Sequence, residues 1–111
     1  KGLKMILENE DIGHILVAKI DEETIGMVSL LYTISTALGS KSALLEDMVI
    51  KSQYRDNKCG TALLSYAKEL AIKQGCKRIT LLTDKDNVIA QNFYKKNKFC
   101  ESSMIPFRLK L

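Results

Sequence analysis

VIKSQYRDNKCG, residues Val49 to Gly60, runs without a break into TALLSYAKELAIKQG, residues Thr61 to Gly75. The first residues close an apolar strand. A polar loop follows, carrying Arg55 and Lys58 and ending at Gly60. From Thr61 to Gln74, Leu63, Leu64, Ala67, Leu70 and Ala71 recur at helical spacing, so this stretch predicts an amphipathic helix, with Gly75 as its stop. A strand that feeds a helix through such a loop offers an anion the unpaired N–H groups and the positive dipole end of the helix. That is a place for a phosphate or a pyrophosphate.

Outward from this centre, the chain divides into an all-β first part and a mixed second part. His14 to Ile20 is β-prone, Asp21-Glu22-Glu23 is a turn, and Thr24 to Thr36 is a long strand rich in Ile, Val, Leu, Tyr and Thr. Gly26 inside it marks a bulge or a close backbone approach. Leu38 to Lys41 is a second turn and Ser42 to Ile50 a third strand. After the helix, Arg78 to Thr83 reads as a short strand. Asp84 to Asn87 is a turn with Asp86 as N-cap, and Val88 to Asn97 a helix with Ile89 and Phe93 on one face. Lys98 to Ser103 and Phe107 to Leu111 read as closing strands, and Leu3 to Leu7 as the end of a helix. The order βββ-α-β-α-β(β) predicts an α/β fold: an antiparallel meander that becomes parallel at the crossover, flanked by helices.

The chain has 111 residues, 46% of them apolar, with one Pro and six Gly, which suits one packed domain over residues 1–111. The opening residue is Lys, already inside an element, so further residues are expected upstream. No apolar run approaches the roughly 20 residues of a membrane span, and Lys1-Gly2-Leu3-Lys4 has no signal-peptide pattern. Cys59, Cys76 and Cys100 lack the paired short spacing of a zinc site and read as free thiols of a cytoplasmic protein, with no metal. The net charge of +4 and pI near 9.0 favour anionic ligands. The basic residues are scattered without interleaved aromatics, which argues against a nucleic-acid partner.

Three segments, in order, resemble the GNAT-type N-acetyltransferases: LLEDMVI, a strand with an acidic pair; YRDNKCGTALL, similar to that family's R-x-x-G-x-G/A loop; and NVIAQNFYKKNKF, similar to its N-x-x-A-x-x-F-Y-x-x-x-x-F segment. The resemblance covers the chain from about Ile15 onward. It implies an acetyl-CoA N-acyltransferase fold whose N-terminal strand and helix region lies outside this chain. It implies acetyl transfer from acetyl-CoA to a primary amine by direct attack in a ternary complex, with no enzyme nucleophile. Backbone N–H groups of Arg55, Asp56, Asn57, Lys58, Cys59 and Gly60 would cradle the pyrophosphate, Thr61 adding a hydroxyl and Arg55 a charge. Met48, Val49 and Ile50 would offer strand-edge groups to the pantetheine arm, where the third strand and the Arg78 strand splay apart. Asn87 would hydrogen-bond that arm. Tyr94 would be the general acid, its phenol neutral at pH 7. Glu46 would be the base, on the cleft face of its strand, with Asp47 pointing the other way.

Two positions depart from the pattern. Lys58 stands at the loop's first Gly, and Lys98 at the Gly that usually precedes the Phe. A positive φ at Lys58 would cost a Lys about 1 kcal/mol or more, whereas Lys98 would alter the turn and leave Tyr94 in place. Each candidate also has a plainer reading: Arg55 and Lys58 as solvated charges, Asn87 as a cap alone, Phe93 and Tyr94 as core aromatics, Glu46 as a surface carboxylate. His14 reads as a surface residue, Cys76 and Cys100 as buried thiols, and Met104, Ile105 and Phe107 as core or edge packing. The small size points to a small-molecule amine as acceptor, and the fold leaves room for a homodimer. The competing functions are a non-catalytic acyl-CoA sensor, a protein (N-terminal or lysine) acetyltransferase and, on net charge alone, a nucleic-acid-binding module.

Overall fold

Four successive runs of aliphatic and β-branched residues form an antiparallel meander in the computed structural model, which describes residues 3–10, 13–35, 39–55 and 58–111. They are β1 (Leu3–Glu10), β2 (Gly13–Ile20), β3 (Glu23–Ser35) and β4 (Ser40–Ile50). A 3-10 turn (Ser52–Tyr54) leads to helix α1 (Cys59–Lys73), then β5 (Ile79–Leu81) and helix α2 (Val88–Lys96). The sheet order is β1-β2-β3-β4-β5, and only the β4–β5 pair is parallel. This is the mixed sheet with flanking helices that the sequence predicts.

Register and burial agree on which face is the core. Ala18 pairs with Gly26 and Leu16 with Val28, while Leu30 pairs with Leu45 and Gly26 with Ile50. All of these are buried together with Leu63, Leu64, Ala67 and Ala71 of α1. Leu63 and Leu64 have no exposed surface, and burying each contributes roughly 1.5–3 kcal/mol. Gly75, at φ 84°, ends α1. The Gly75 N–H donates to Ile72 and the Cys76 N–H to Ala71, the Schellman pattern that glycine accommodates best.

Several expectations need correction. Leu3 to Leu7 is a strand and not a helix end: LKMIL suits either period, and pairing of Leu3–Glu10 along all of β2 selects the strand. Lys98–Ser103 and Phe107–Leu111 form no strand. Pro106 lacks an N–H, the Met104 N–H turns back to Ser102 Oγ at 3.0 Å, and Met104, Ile105 and Phe107 are 73–89% exposed, not packed. Cys100 is exposed, Cys76 only partly buried, and Ile89 stays outside the core. His14 is half-buried, its Nδ1 2.8 Å from the Tyr32 hydroxyl.

Burial pushes the Tyr32 phenol up to about 12, with the nearby Cys76 thiol adding to the shift. The folded chain therefore holds this proton more tightly than the unfolded chain, whose tyrosines titrate near 10. The stabilisation is complete below pH 10 and is lost between about pH 10 and 12. Urea midpoints across this range should fall more steeply for the native chain than for Tyr32→Phe.

Candidate active site and cofactor cleft

Strand β4 carries one extra residue. Gly26 pairs with Ile50 and Met27 with Val49, yet Ser29 pairs with Glu46, so Asp47 and Met48 stand opposite the single residue Val28. This is a β-bulge, and Asp47 takes it up at φ 55°. The bulge shifts the parity of the strand. Ala43 and Leu45 face the core before it, and Met48 and Ile50 after it. Simple alternation, which sends Glu46 and Asp47 to opposite faces, therefore fails at this point; both are exposed. Glu46 keeps its register opposite Ser29, on the outer face shared with the 53%-exposed Val49.

Parallel pairing between β4 and β5 stops at Leu45 with Leu81. Past that point β4 continues through Glu46, Met48, Val49 and Ile50, one edge bonded to β3 and the other beyond the end of β5. This stretch of the β4 edge, called the wedge below, has no strand bonded to it among the described residues, and its backbone N–H and C=O groups stand on a fixed strand edge. Such groups suit the amides of an extended ligand.

At its far end the wedge meets the start of α1. Lys58 precedes that helix in the left-handed conformation, φ 62° and ψ 14°, and no side chain caps the helix. The Ala62 N–H makes the first intrahelical bond, to Lys58. The N–H groups before it have no helical acceptor and point out of the N-terminus, the donor set an anion requires. Arg55 precedes them by three residues in the chain, its Nε donating to the Ile50 carbonyl at 3.0 Å. Thr61 is exposed, whereas Cys59 and Gly60 are buried. The Cys59 side chain packs into the core and stays out of the cleft. Asp56 and Asn57 lie outside the described residues.

Helix α2 closes the arrangement. A Cβ on Gly60 would sit 3.3 Å from the Phe93 ring and 3.8 Å from Ile50, so α2, the start of α1 and the end of β4 converge here. The N-cap of α2 is Asn87 and not Asp86: Asn87 Oδ1 accepts the Ala90 N–H at 3.1 Å. Tyr94 is half-buried between Phe93 and Phe99, at ring-centroid distances of 5.3 and 5.7 Å. Burial raises its phenol above the ordinary tyrosine range, keeping it neutral and able to donate at pH 7. Glu46 pairs with Ser29 and Ile50 with Gly26, three residues or about 10 Å apart along β3, so the acidic residue and the anion loop lie at opposite ends of the wedge.

The end of α2 repeats the end of α1 with a different residue. The Lys98 N–H donates to Lys95 and the Phe99 N–H to Tyr94. Lys98, at φ 78°, occupies the place that Gly75 holds at φ 84°. Both departures from the family pattern thus fall on left-handed backbone. Lys58→Gly and Lys98→Gly should each stabilise the fold by about 0.5–1 kcal/mol, the relief of strain outweighing glycine's unfolded-state entropy. Each should raise the melting midpoint by a few degrees; an unchanged or lower midpoint would refute the strain.

One residue group was not visible in the sequence. Glu23, Lys51 and Tyr54 join the start of β3 to the turn after β4. Partners 28 and 31 residues apart leave no local pattern.

The family described as Acetyltransferase (GNAT) matches residues 3–99. An uncharacterized N-acetyltransferase, YhfO of Bacillus subtilis (strain 168), is 34% identical over 101 residues, 91% of this chain and 67% of that protein. The crystal structure of a transcriptional regulator from Bacillus halodurans C-125 superposes with a TM-score of 0.83 at 30% identity, covering 93% of this chain and 69% of that one. An aminoglycoside acetyltransferase from an uncultured soil metagenomic sample, in complex with trehalose, superposes equally well, at 0.83. At 17% identity over 93% of this chain and 68% of that one, it shows a shared fold.

Proposed function

The chain belongs to the GNAT acetyltransferase family, and from that premise we propose that it transfers an acetyl group from acetyl-CoA to the primary amine of a small molecule. The observation that carries this reading is the wedge: a bulged β4 leaving β5 and ending at an uncapped helix N-terminus. The family generally uses acetyl-CoA as co-substrate, and the donor set here suits that ligand. Strand-edge amide groups of Met48, Val49 and Ile50 match the pantetheine arm. The N–H groups from Lys58 to Thr61 and the Arg55 guanidinium match the pyrophosphate, with Asp56 and Asn57 in the same loop. Asn87, its Oδ1 engaged as a cap, has its amide NH2 for the arm.

Bound acetyl-CoA supplies an activated thioester. The chain's own residues move protons and exclude water. Tyr94 holds a proton at Oη and is the general acid for the leaving sulfur. Its neutrality follows from burial between two aromatic rings. Glu46, exposed on the outer face of β4, accepts the proton of the incoming ammonium, directly or through water. The amine attacks the thioester directly, with no acyl-enzyme. Among the described residues no helix is long and apolar enough to cross a membrane. A cytoplasmic location and a homodimer complete the proposal.

A second reading has its own support. A chain that binds acyl-CoA without turnover fits the strained Lys58 and the 30%-identical transcriptional regulator. Thermal unfolding with acetyl-CoA, CoA and ATP tests the shared part, since a ligand selective for the folded state raises the midpoint. A shift with both CoA forms, larger than with ATP, is expected; no shift refutes the cofactor site. Thiol release across a panel of aminoglycosides, polyamines and simple amines then separates the readings. Release with at least one amine is the enzyme's result, and binding with no release the sensor's.

A further inference from the structure

Between β4 and the anion loop the chain makes a single 3-10 turn, Ser52–Tyr54. Its own backbone bonds are few: the Tyr54 N–H donates to Lys51 at 2.9 Å and the Arg55 N–H to Ser52 at 3.3 Å. One such turn does not fix the direction in which the loop leaves. A carboxylate from another strand grips it at both ends. Lys51 Nζ donates to Glu23 Oε2 at 2.9 Å, and Tyr54 Oη donates to Glu23 Oε1 at 3.2 Å. Glu23 is the first residue of β3. The neighbouring backbone is tied to the same strand, the Lys51 N–H donating to Ile25 at 2.8 Å. Arg55 follows at once, anchored to Ile50.

We infer that Glu23 is a positioning residue for the cofactor loop, clamping both ends of the 3-10 turn so that Arg55 is held toward the phosphates of CoA. The inference rests on the cofactor reading of that loop. The pair is about half exposed, 49% for Lys51 and 42% for Glu23, and an isolated ion pair so placed does little. The effect comes from one carboxylate joining two points of the turn to a rigid strand. Lys51 holds the Glu23 carboxyl below its ordinary range, and the Glu23 charge holds the Tyr54 phenol up, as expected of groups in mutual contact.

Charge alone predicts the opposite sign. A carboxylate near a pyrophosphate site repels the ligand, so removing it should tighten binding. Positioning predicts weaker binding. Calorimetric titration with CoA at fixed ionic strength decides, using the native chain, Glu23→Gln, Tyr54→Phe, the double variant, and Glu22→Gln as a neighbouring charge control. The clamp predicts a Kd about fivefold higher for Glu23→Gln and about threefold higher for Tyr54→Phe. The double variant should be no worse than Glu23→Gln, because both changes open the same clamp. Glu22→Gln should bind unchanged or slightly tighter. In turnover assays, KM for acetyl-CoA should rise while kcat at saturation holds. Tyr54→Phe removes a hydroxyl and no charge, so it keeps the test decisive if Glu23→Gln fails to fold. Native binding with unchanged or tighter CoA affinity in both single variants overturns the clamp alone. A native chain that binds no CoA overturns the cofactor reading and the clamp together.

Discussion

Tyr94→Phe should lower kcat about 100-fold, the lower end of what a positioned proton donor contributes, and change the Kd for CoA by less than about twofold. The substitution removes only the hydroxyl. The ring's edge-on contacts with Phe93 and Phe99 survive, and so do the backbone bonds from Asn97 and Phe99 to the Tyr94 carbonyl. The melting midpoint should therefore stay close to that of the native chain, which separates lost chemistry from lost structure. A 100-fold loss corresponds to about 2.7 kcal/mol of transition-state stabilisation. The pH dependence is a second, independent readout. Burial raises the Tyr94 phenol, so the native chain keeps it protonated through neutral pH, and with Tyr94 as the proposed donor activity should fall only when the phenol ionises, above the ordinary tyrosine range near 10. Tyr94→Phe should lack that alkaline limb. Equal turnover in the variant removes Tyr94 from the mechanism; a matching loss of CoA binding makes it a packing residue of the cleft.

The residues explain which parts of this arrangement can be read from sequence. The helix after Gly60 and the strands before Val49 are legible because their apolar spacing and their buried faces coincide. LKMIL is not, since a run of that length fits a strand or a helix equally, and the partner that decides it lies in β2. Alternation at Ile105, Phe107, Leu109 and Leu111 suggests a strand, but a strand needs a paired edge, and these side chains are 73–114% exposed. Lys58 and Lys98 stand out against the family pattern because a missing glycine leaves a trace, and both have positive φ. The bulge at Asp47 leaves none, since an extra residue is defined only against the strand opposite. It is nonetheless what shifts the parity of the strand and brings Met48 and Ile50 to the core face. The aromatic surroundings of Tyr94 fall between these cases. Phe93 is adjacent in sequence, but Phe99 is delivered by the turn at the end of α2.

Gly26→Ala should destabilise the fold by about 1–3 kcal/mol, as overpacking of a tight site does, and should also weaken CoA binding, although Gly26 is remote from any proposed ligand atom in sequence. Gly26 is buried in the middle of the sheet, paired with Ala18 on one side and Ile50 on the other. A Cβ there would lie 2.5 Å from Ile50 Cδ1 and 2.8 Å from the Val49 carbonyl oxygen. The first clash is with the tip of a side chain and can be relieved by rotation. The second is with backbone, so β4 must move. The segment displaced is Val49–Ile50, the strand edge assigned to the pantetheine arm, and Ile50 carries the carbonyl that anchors Arg55. A displacement there reaches the arm and the phosphate loop together, and an affinity loss of about tenfold, equivalent to 1.4 kcal/mol, is expected. Ile50→Val, which deletes Cδ1, separates the two clashes. Added to Gly26→Ala, it should recover part of the melting midpoint and little of the CoA affinity, because the Val49 carbonyl remains in the way. Full recovery of both would place the whole effect on the side chain. An unaltered midpoint with native affinity in Gly26→Ala would mean that the β3–β4 approach has no bearing on the cleft.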